Sequence, residues 1–137
     1  MATTSTGGCA CGAIRYEISA DPVMSANCFC RDCQKATGGS NASVMIVPKP
    51  AFRLTKGEIK YHTVVGESGK TVGRGFCAGC GSPITSQLGA MPDVMVVKAG
   101  SLDDPARFKP TMNIFTSSAP PWATLAPGLK NFPKMPG

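Results

Sequence analysis

The seven cysteines constrain this chain more than any other feature, because all of them lie in three closely spaced groups. These groups are Cys9-Ala10-Cys11, Cys28-Phe29-Cys30-Arg31-Asp32-Cys33 and Cys77-Ala78-Gly79-Cys80. Scattered cysteines are usually inert core residues, whereas CxC and CxxC spacings are typical of metal ligands. In a reducing cytosol such thiols more often bind metal or react than form disulfides. The odd number of cysteines also argues against a simple disulfide framework.

The first and third groups have the features of a matched pair of metal-binding turns. Gly12 follows Cys11 just as Gly81 follows Cys80, and glycine permits the positive φ angle that such a tight turn needs. Four thiolates around zinc make a closed structural site that stabilises a small core. The alternative is four reduced core thiols, and the spacing favours the metal.

The central group indicates a different kind of site. Three cysteines leave a tetrahedral zinc one open position, which is the pattern of a catalytic zinc. A redox cluster, a purely structural cluster or a fourth ligand from elsewhere are the alternatives. Spacing alone also allows another partition, in which a zinc ribbon forms from Cys30 and Cys33 with Cys77 and Cys80 and leaves the other three cysteines out.

Composition and hydrophobic patterning predict a single, mainly β domain over residues 1–137. The chain is 42% hydrophobic and only 16% charged, and its 16 glycines and 12 prolines suit short strands joined by tight turns. The predicted strands are 14–18, 43–47, 52–55, 59–63, 70–76, 84–88, 93–98 and 112–115, with one short helix at 31–37. Strands 52–55 and 59–63 are expected to form a hairpin around Lys56-Gly57.

Charge and hydropathy exclude two classes of partner. The 14 Lys and Arg residues are scattered without one adjacent pair, so a basic patch for nucleic acid is not expected. No apolar run approaches the roughly 18 residues that a membrane span requires. The first residues lack the apolar stretch of a signal peptide. We therefore expect a soluble, cytoplasmic protein with neither nucleic-acid nor membrane partners.

Five motifs together resemble the glutathione-dependent formaldehyde-activating enzyme (GFA) family, which includes centromere protein V. The motifs are Gly8–Gly12, Cys28–Cys33, Phe76–Gly81, Gly100–Pro105 and Pro121-Trp122, and the resemblance extends from Gly8 to about Pro136. It implies the Mss4-like (β-tent) fold, with short antiparallel strands around a structural zinc. It assigns that zinc to Cys9, Cys11, Cys77 and Cys80. It assigns a second zinc to Cys28, Cys30 and Cys33.

The same resemblance implies a zinc-dependent carbon–sulfur lyase. Such an enzyme would form or cleave a thiol adduct such as S-hydroxymethylglutathione, so the expected partner is a small thiol or thiol adduct, with glutathione as one candidate. A zinc-stabilised binding module without catalysis is the alternative, because a fold alone does not fix a function. An open coordination position at the central cysteines would favour the lyase.

The chain departs from the family pattern at two positions where histidine is common. Phe29 stands between the first two central cysteines, and Asn113 stands in the strand before the Trp motif. The single histidine, His62, is expected to face solvent. Because histidine is the usual group for proton transfer near neutral pH, this transfer is left to water, to the substrate or to Asp32.

Other residues have simpler interpretations. Arg31, Lys35 and Arg74 lie near the cysteine motifs in sequence and are candidates for binding the carboxylates of a substrate. Trp122 is expected to be a core or tail anchor instead of a substrate platform, because large aromatic side chains dominate burial energetics. The Asp103-Asp104 pair before Pro105 suits a turn better than a catalytic dyad.

Overall fold

The structure is a computed structural model that describes residues 4–66 and 68–136. Its one α-helix among these residues, α1, covers Arg31–Thr37. The strands are β1 (Ser5–Gly8), β2 (Arg15–Ile18), β3 (Met24–Cys28), β4 (Ala42–Pro48), β5 (Phe52–Lys56), β6 (Lys60–Val65), β7 (Thr71–Phe76), β8 (Pro83–Leu88), β9 (Met91–Lys98), β10 (Met112–Ile114) and β11 (Lys130–Asn131). Short 3-10 turns lie at Lys49–Ala51, Ala99–Ser101, Pro105–Arg107 and Thr116–Ser118. The predicted mainly β class is confirmed. No helix in the described part of the chain is long and apolar enough to cross a membrane.

The strands form two sheets. One has three strands in the order β1-β2-β5, and the other has eight in the order β11-β10-β3-β4-β9-β8-β7-β6. Neighbouring strands run antiparallel, as expected, except that β10 lies parallel to both β3 and β11. After β9, in the middle of the larger sheet, the chain thus passes β4 and β3 and adds its last two strands beyond β3.

The first core lies between the two sheets. Tyr16 and Ile18 of β2 point from the smaller sheet into the same cluster as Val47 of β4 and Val97 of β9. Each of these side chains is at most 2% exposed. Full burial of one large apolar side chain contributes roughly 1.5–3 kcal/mol. Cys9 and Cys77 belong to this same cluster.

The second core lies on the opposite face of the larger sheet. It contains Ala26, Val44, Val96 and Ile114. Val44 and Val96 alternate along β4 and β9 with Met45, Val47, Met95 and Val97 of the first core. Cys28 and Cys33 lie in this second cluster, and Phe132 from the tail packs against it. The larger sheet therefore separates the central cysteines from Cys9 and Cys77.

Helix α1 forms over the predicted residues for identifiable local reasons. Cys30 is its N-cap, and Gly38 ends it with a positive φ of 74°, a conformation that glycine adopts without steric cost. The buried side chain of Gln34 donates hydrogen bonds from Nε2 to the Phe29 carbonyl (2.8 Å) and the Ser118 carbonyl (3.0 Å). Gln34 thus fastens the helix both to the cysteine loop and to the tail.

The expected hairpin between the fifth and sixth strands is wrong. β5 pairs with β2 in the smaller sheet, whereas β6 pairs with β7 in the larger one. Phe52 at the start of β5 packs on Tyr16, with the ring centroids 5.1 Å apart. Gly57, at a φ of 80°, lies in the short connection between β5 and β6.

The predicted burial of Trp122 is also wrong, because this side chain is 70% exposed. The tail is held instead by the pairing of β11 with β10 and by Phe132. A hydrogen bond from the Phe132 amide to the Asn113 carbonyl (2.9 Å) adds to this attachment. His62 is exposed, as predicted.

The loop after β9 is tied to the first two strands by Asp103. Its carboxylate accepts a hydrogen bond from Arg15 Nη1 (2.9 Å) and another from Thr6 Oγ1 (2.7 Å). These two contacts lower the pKa of the Asp103 carboxyl to about 2, and the contact with Arg15 has the larger effect. Asp104 caps the following 3-10 turn at Pro105–Arg107. The pair therefore has the structural role that the sequence predicted.

Candidate metal centres

Four cysteines from distant parts of the chain meet at one edge of the first core. We call Cys9, Cys11, Cys77 and Cys80 the outer cluster, and their Sγ atoms all lie within 4.8 Å of one another. Two of the separations are 3.6 Å (Cys9 to Cys11) and 3.8 Å (Cys11 to Cys77). Sulfurs arranged tetrahedrally at about 2.3 Å from zinc would be about 3.8 Å apart. The outer cluster therefore has the ligand type and spacing that a closed tetrahedral metal site needs.

Two similar turns build the outer cluster. The Gly12 amide bonds to the Cys9 carbonyl (3.2 Å), and the Gly81 amide bonds to the Cys77 carbonyl (2.8 Å). Both glycines have positive φ angles, 80° and 78°, as the sequence predicted. In the first turn the Ile14 amide also donates to Cys9 Sγ (3.2 Å). Such a bond stabilises the thiolate form that a metal requires.

Ser82 links the two turns. Its hydroxyl accepts a hydrogen bond from the Ala10 amide (3.0 Å) and lies 3.2 Å from Cys80 Sγ. The hydroxyl and amide of Ser82 lower the pKa of the Cys80 thiol to about 5. Sequence analysis did not single out this serine. Its position directly after the Cys80-Gly81 turn is the signal that could have indicated it.

The three central cysteines, which we call the central trio, lie where β3 ends and α1 begins. Cys28 is the last residue of β3, Cys30 caps the helix and accepts a hydrogen bond from the Cys33 amide (3.3 Å), and Cys33 is in the first helical turn. The three sulfurs lie within 4.8 Å of one another. Among the described residues, no fourth Cys, His, Asp or Glu joins them. The trio can therefore hold a metal with three thiolates and leave one coordination position for another ligand.

Contacts among the three thiols shift their pKa values in different directions. Contacts with Cys28 and Cys33 lower the pKa of the Cys30 thiol, and the nearby charge of Arg74 lowers it further. The contacts with Cys30 and Cys33 raise the pKa of the Cys28 thiol.

The structure separates the two CxxC pairs. Cys30 and Cys33 lie in the central trio, whereas Cys77 and Cys80 lie in the outer cluster. The zinc-ribbon partition that spacing alone allowed is therefore not formed. The two groupings are those that the family resemblance implied.

The surroundings of the trio include a residue that sequence analysis missed. Lys98, the last residue of β9, is only 8% exposed. Its partner in β4 is Val44, which belongs to the second core together with Cys28 and Cys33. Burial lowers the pKa of the Lys98 ammonium, whereas the charge of Cys33 raises it. The alternation of side chains along the predicted strand 93–98 could have placed Lys98 on the same face as Val96. Its burial was still not predictable, because a lysine at a strand end is usually exposed.

The other candidates for substrate binding differ in position. Arg74 is half-buried and acts electrostatically on both Cys30 and Lys98. Arg31 bonds to the Gln34 side chain, which places it on the helix surface. Lys35 and Asp32 are exposed on the same helix. Of the three predicted cations, Arg74 therefore has a charge that acts on Cys30 of the trio.

At the two positions where family members often carry histidine, this chain has no side chain that could transfer a proton at the trio. Phe29 is 2% exposed. Asn113 is fully buried, where its Nδ2 donates to Asn131 Oδ1 (2.8 Å) and its Oδ1 accepts from Asn27 (3.2 Å). Asn27 in turn accepts from Ser43 Oγ (2.8 Å). Because these amides alternate with Cys28 and Ile114 along their strands, they face away from the trio.

Comparison with known proteins agrees with this geometry. The sequence profile of the glutathione-dependent formaldehyde-activating enzymes matches residues 4–118, which include both cysteine clusters. The chain belongs to this family. No curated protein sequence matches this GFA-family chain.

A solved structure supports the fold of this GFA-family chain. The crystal structure of a Rhodobacter sphaeroides protein, a Northeast Structural Genomics target, superposes with a TM-score of 0.60 at 16% sequence identity. The match covers 93% of this chain and 98% of the Rhodobacter protein. At this identity the likeness concerns the fold alone.

Proposed function

We propose that this protein is a single-domain, zinc-dependent carbon–sulfur lyase of the cytoplasm, with zinc in both cysteine clusters. It would form or cleave the adduct of a small thiol with an aldehyde, as glutathione and formaldehyde form S-hydroxymethylglutathione. One observation carries the proposal. Three thiols converge without a fourth metal-binding side chain among the described residues, in a chain whose family is named for glutathione-dependent formaldehyde activation.

The chain's residues divide the work between the two clusters. The outer cluster, with four thiolates, has a closed ligand set and serves stability. The central trio would hold the second zinc through Cys28, Cys30 and Cys33. Zinc in such a site favours deprotonation of a thiol that takes its open position. The second core around the trio limits water on the buried side, because its neighbours Ala26, Val44 and Ile114 are all less than 10% exposed.

The overall reaction needs only a proton transfer besides the new carbon–sulfur bond. A thiol adds through sulfur to the carbonyl carbon, the thiol proton leaves, and the carbonyl oxygen gains a proton to become a hydroxyl. The reverse reaction breaks the same bond. Phe29 cannot carry a proton, and Asn113 faces away from the trio. Water at the open side of the trio is therefore the proposed carrier.

The decisive experiment mixes the zinc-loaded protein with glutathione and formaldehyde. Formation of S-hydroxymethylglutathione is followed by exchange-sensitive NMR against the uncatalysed rate. We expect an excess rate with the wild type and none with Cys30→Ser, which removes one central ligand. Ser82→Ala, which alters a contact of the outer cluster only, should keep the excess rate.

Two results would overturn the lyase proposal. One is the absence of any excess rate with glutathione or with a panel of other thiol adducts. The other is an equal rate for the wild type and Cys30→Ser. Zinc at both clusters without turnover would favour the non-catalytic binding module instead.

A further inference from the structure

We propose that Lys98, Ser86 and Arg74 form an anion-binding subsite beside the central trio, which selects a substrate carrying a carboxylate or comparable oxyanion. This inference rests on the proposed function, because it names the substrate class of the same site. It depends on three polar side chains that reach the same face of the larger sheet. None of the three has a hydrogen bond or ion pair from its side chain within the described part of the chain.

Lys98 gives the strongest evidence. A lysine that is 8% exposed loses most of its hydration, which is costly unless an opposite charge compensates. The central thiols are close enough for their charges to act on Lys98. However, Lys98 donates no hydrogen bond to any of the three sulfurs, and no carboxylate pairs with it among the described residues. Its three ammonium donors therefore remain available to a ligand.

Ser86 is a second buried polar group without a partner. The residue is 3% exposed, and its Oγ is the one buried side-chain oxygen or nitrogen in the described residues that lacks a hydrogen bond. Leaving such a hydroxyl unpaired costs about 1–3 kcal/mol. Ser86 lies opposite Val96, two residues before Lys98 in β9, so the hydroxyl and the ammonium belong to neighbouring positions on one face.

Arg74 completes the subsite from the next strand. It lies directly opposite Ser86 in the β7–β8 pair, and side chains so placed have Cβ atoms about 4.5–5.5 Å apart. Its charge acts on both Cys30 and Lys98. The guanidinium could therefore form a bidentate pair with a carboxylate held between the two strands.

The net charge of the site with zinc bound is positive, which favours binding of an anion. A zinc ion with three thiolates has a net charge of −1, from 2 − 3. The two cations Lys98 and Arg74 contribute +2, which leaves +1 for a bound ligand. A small anionic molecule would therefore find a complementary charge at this position.

The test compares an anionic alkylating reagent with a neutral one of nearly the same size. Iodoacetate and iodoacetamide are reacted with the protein as purified, and mass spectrometry measures the rate at each cysteine. The ratio of the two rates cancels any change in the reactivity of the thiolate itself. We expect Lys98→Met to lower the iodoacetate-to-iodoacetamide ratio at the central trio by about tenfold, the loss of one charge-assisted hydrogen bond.

The same molecule supplies an internal control. Cys11 and Cys80 of the outer cluster are exposed, and their ratio should not change in Lys98→Met. Ser86→Ala should lower the ratio at the trio by a smaller factor. Lys60→Met removes an exposed lysine of β6 and should leave both ratios unchanged.

Thermal unfolding checks that each variant is folded, so that a change in the alkylation ratio is not caused by misfolding. Because Lys98 is a buried cation without a direct partner, Lys98→Met should melt at the same temperature as the wild type or higher. An unchanged ratio at the trio in folded Lys98→Met and Ser86→Ala would overturn the subsite. So would an equal loss in Lys60→Met, which would show a general surface effect. The measurement needs no turnover, so failure of the lyase assay and failure of the subsite are distinguishable.

Discussion

Cys80→Ser tests whether the outer cluster holds the fold together. Cys80 is exposed, so the substitution removes almost no packing, and any loss of stability reports on metal ligation. Serine keeps the size and polarity of the side chain but is a much poorer zinc ligand. Cys30→Ser, in the central trio, is the matched control because it removes one thiolate from a site built within six consecutive residues.

The expected magnitude follows from the chain connectivity. The contact between Cys11 and Cys77 joins residues 66 positions apart. A cross-link that closes a loop of that length stabilises the folded state by about 4 kcal/mol through the entropy of the unfolded chain. Domains of this kind are stable by about 5–15 kcal/mol in total. Loss of the outer metal should therefore lower the melting temperature by roughly 14 °C or leave the protein insoluble.

The assay is thermal unfolding followed by circular dichroism, with zinc content measured on the same samples. We expect the large decrease in Cys80→Ser and a decrease of a few degrees at most in Cys30→Ser. Adding a strong chelator to the wild type should reproduce the Cys80→Ser melt. Equal melting temperatures for the two variants would refute the assignment of a structural role to the outer cluster alone.

Four further outcomes are expected. Mild chelation should remove the metal of the three-thiolate central trio first. The zinc content should then fall from two equivalents per chain to near one, with an unchanged circular dichroism spectrum. Simultaneous loss of both metals with unfolding would contradict this. Asp103→Asn should lower the melting temperature at neutral pH. Because the pKa of the Asp103 carboxyl in the folded protein is about 2, below the ordinary 3.8, the difference from wild type should persist above pH 4 and vanish as the pH falls towards 2. A difference independent of pH would exclude the Arg15 pairing as its cause. Gln34→Ala should destabilise by about 1–3 kcal/mol in urea unfolding, since two carbonyls lose their donor, while the exposed Gln87→Ala should be neutral. Trp122→Ala should change the free energy of unfolding by less than about 0.5 kcal/mol, and a larger loss would mean that the side chain has a partner.

Local signals predicted much of the fold. Helix α1 was predictable because Gly38-Gly39 ends it, and most strands were predictable because their apolar residues alternate. The pairing of each strand with its neighbours was not predictable from these local signals. Phe52 begins a strand whose sequence suits either sheet, and it joins the smaller one through its contact with Tyr16. Such a contact between residues 36 positions apart leaves no local trace in the sequence.

The two cysteine clusters were predictable in composition, and their surroundings were not. Matching glycines after Cys11 and Cys80 indicated a matched pair of turns, but spacing left the partition of the cysteines open, and only the family resemblance assigned all seven to two groups. The second core that surrounds Lys98 arises from strands far apart in sequence, so its burial follows only from the sheet order. Trp122 shows the opposite error: a large apolar surface gains from burial, but this side chain is 70% exposed.

The hydrogen-bonded amides of Asn27, Asn113 and Asn131 have a consequence for how the last strands align. β10 has three residues and β11 has two, so neither has enough hydrogen bonds of its own to favour one alignment strongly over a neighbouring one. A shift of β10 by one residue would turn Asn113 into the apolar second core and place Ile114 among amides, because side chains alternate between faces. Asn113 would then lose its hydrogen bonds with Asn27 and Asn131, and a buried amide without partners costs about 1–3 kcal/mol. The amides therefore discriminate between alignments that the short strands alone would leave nearly equal in energy, and they keep Ile114 opposite Cys28.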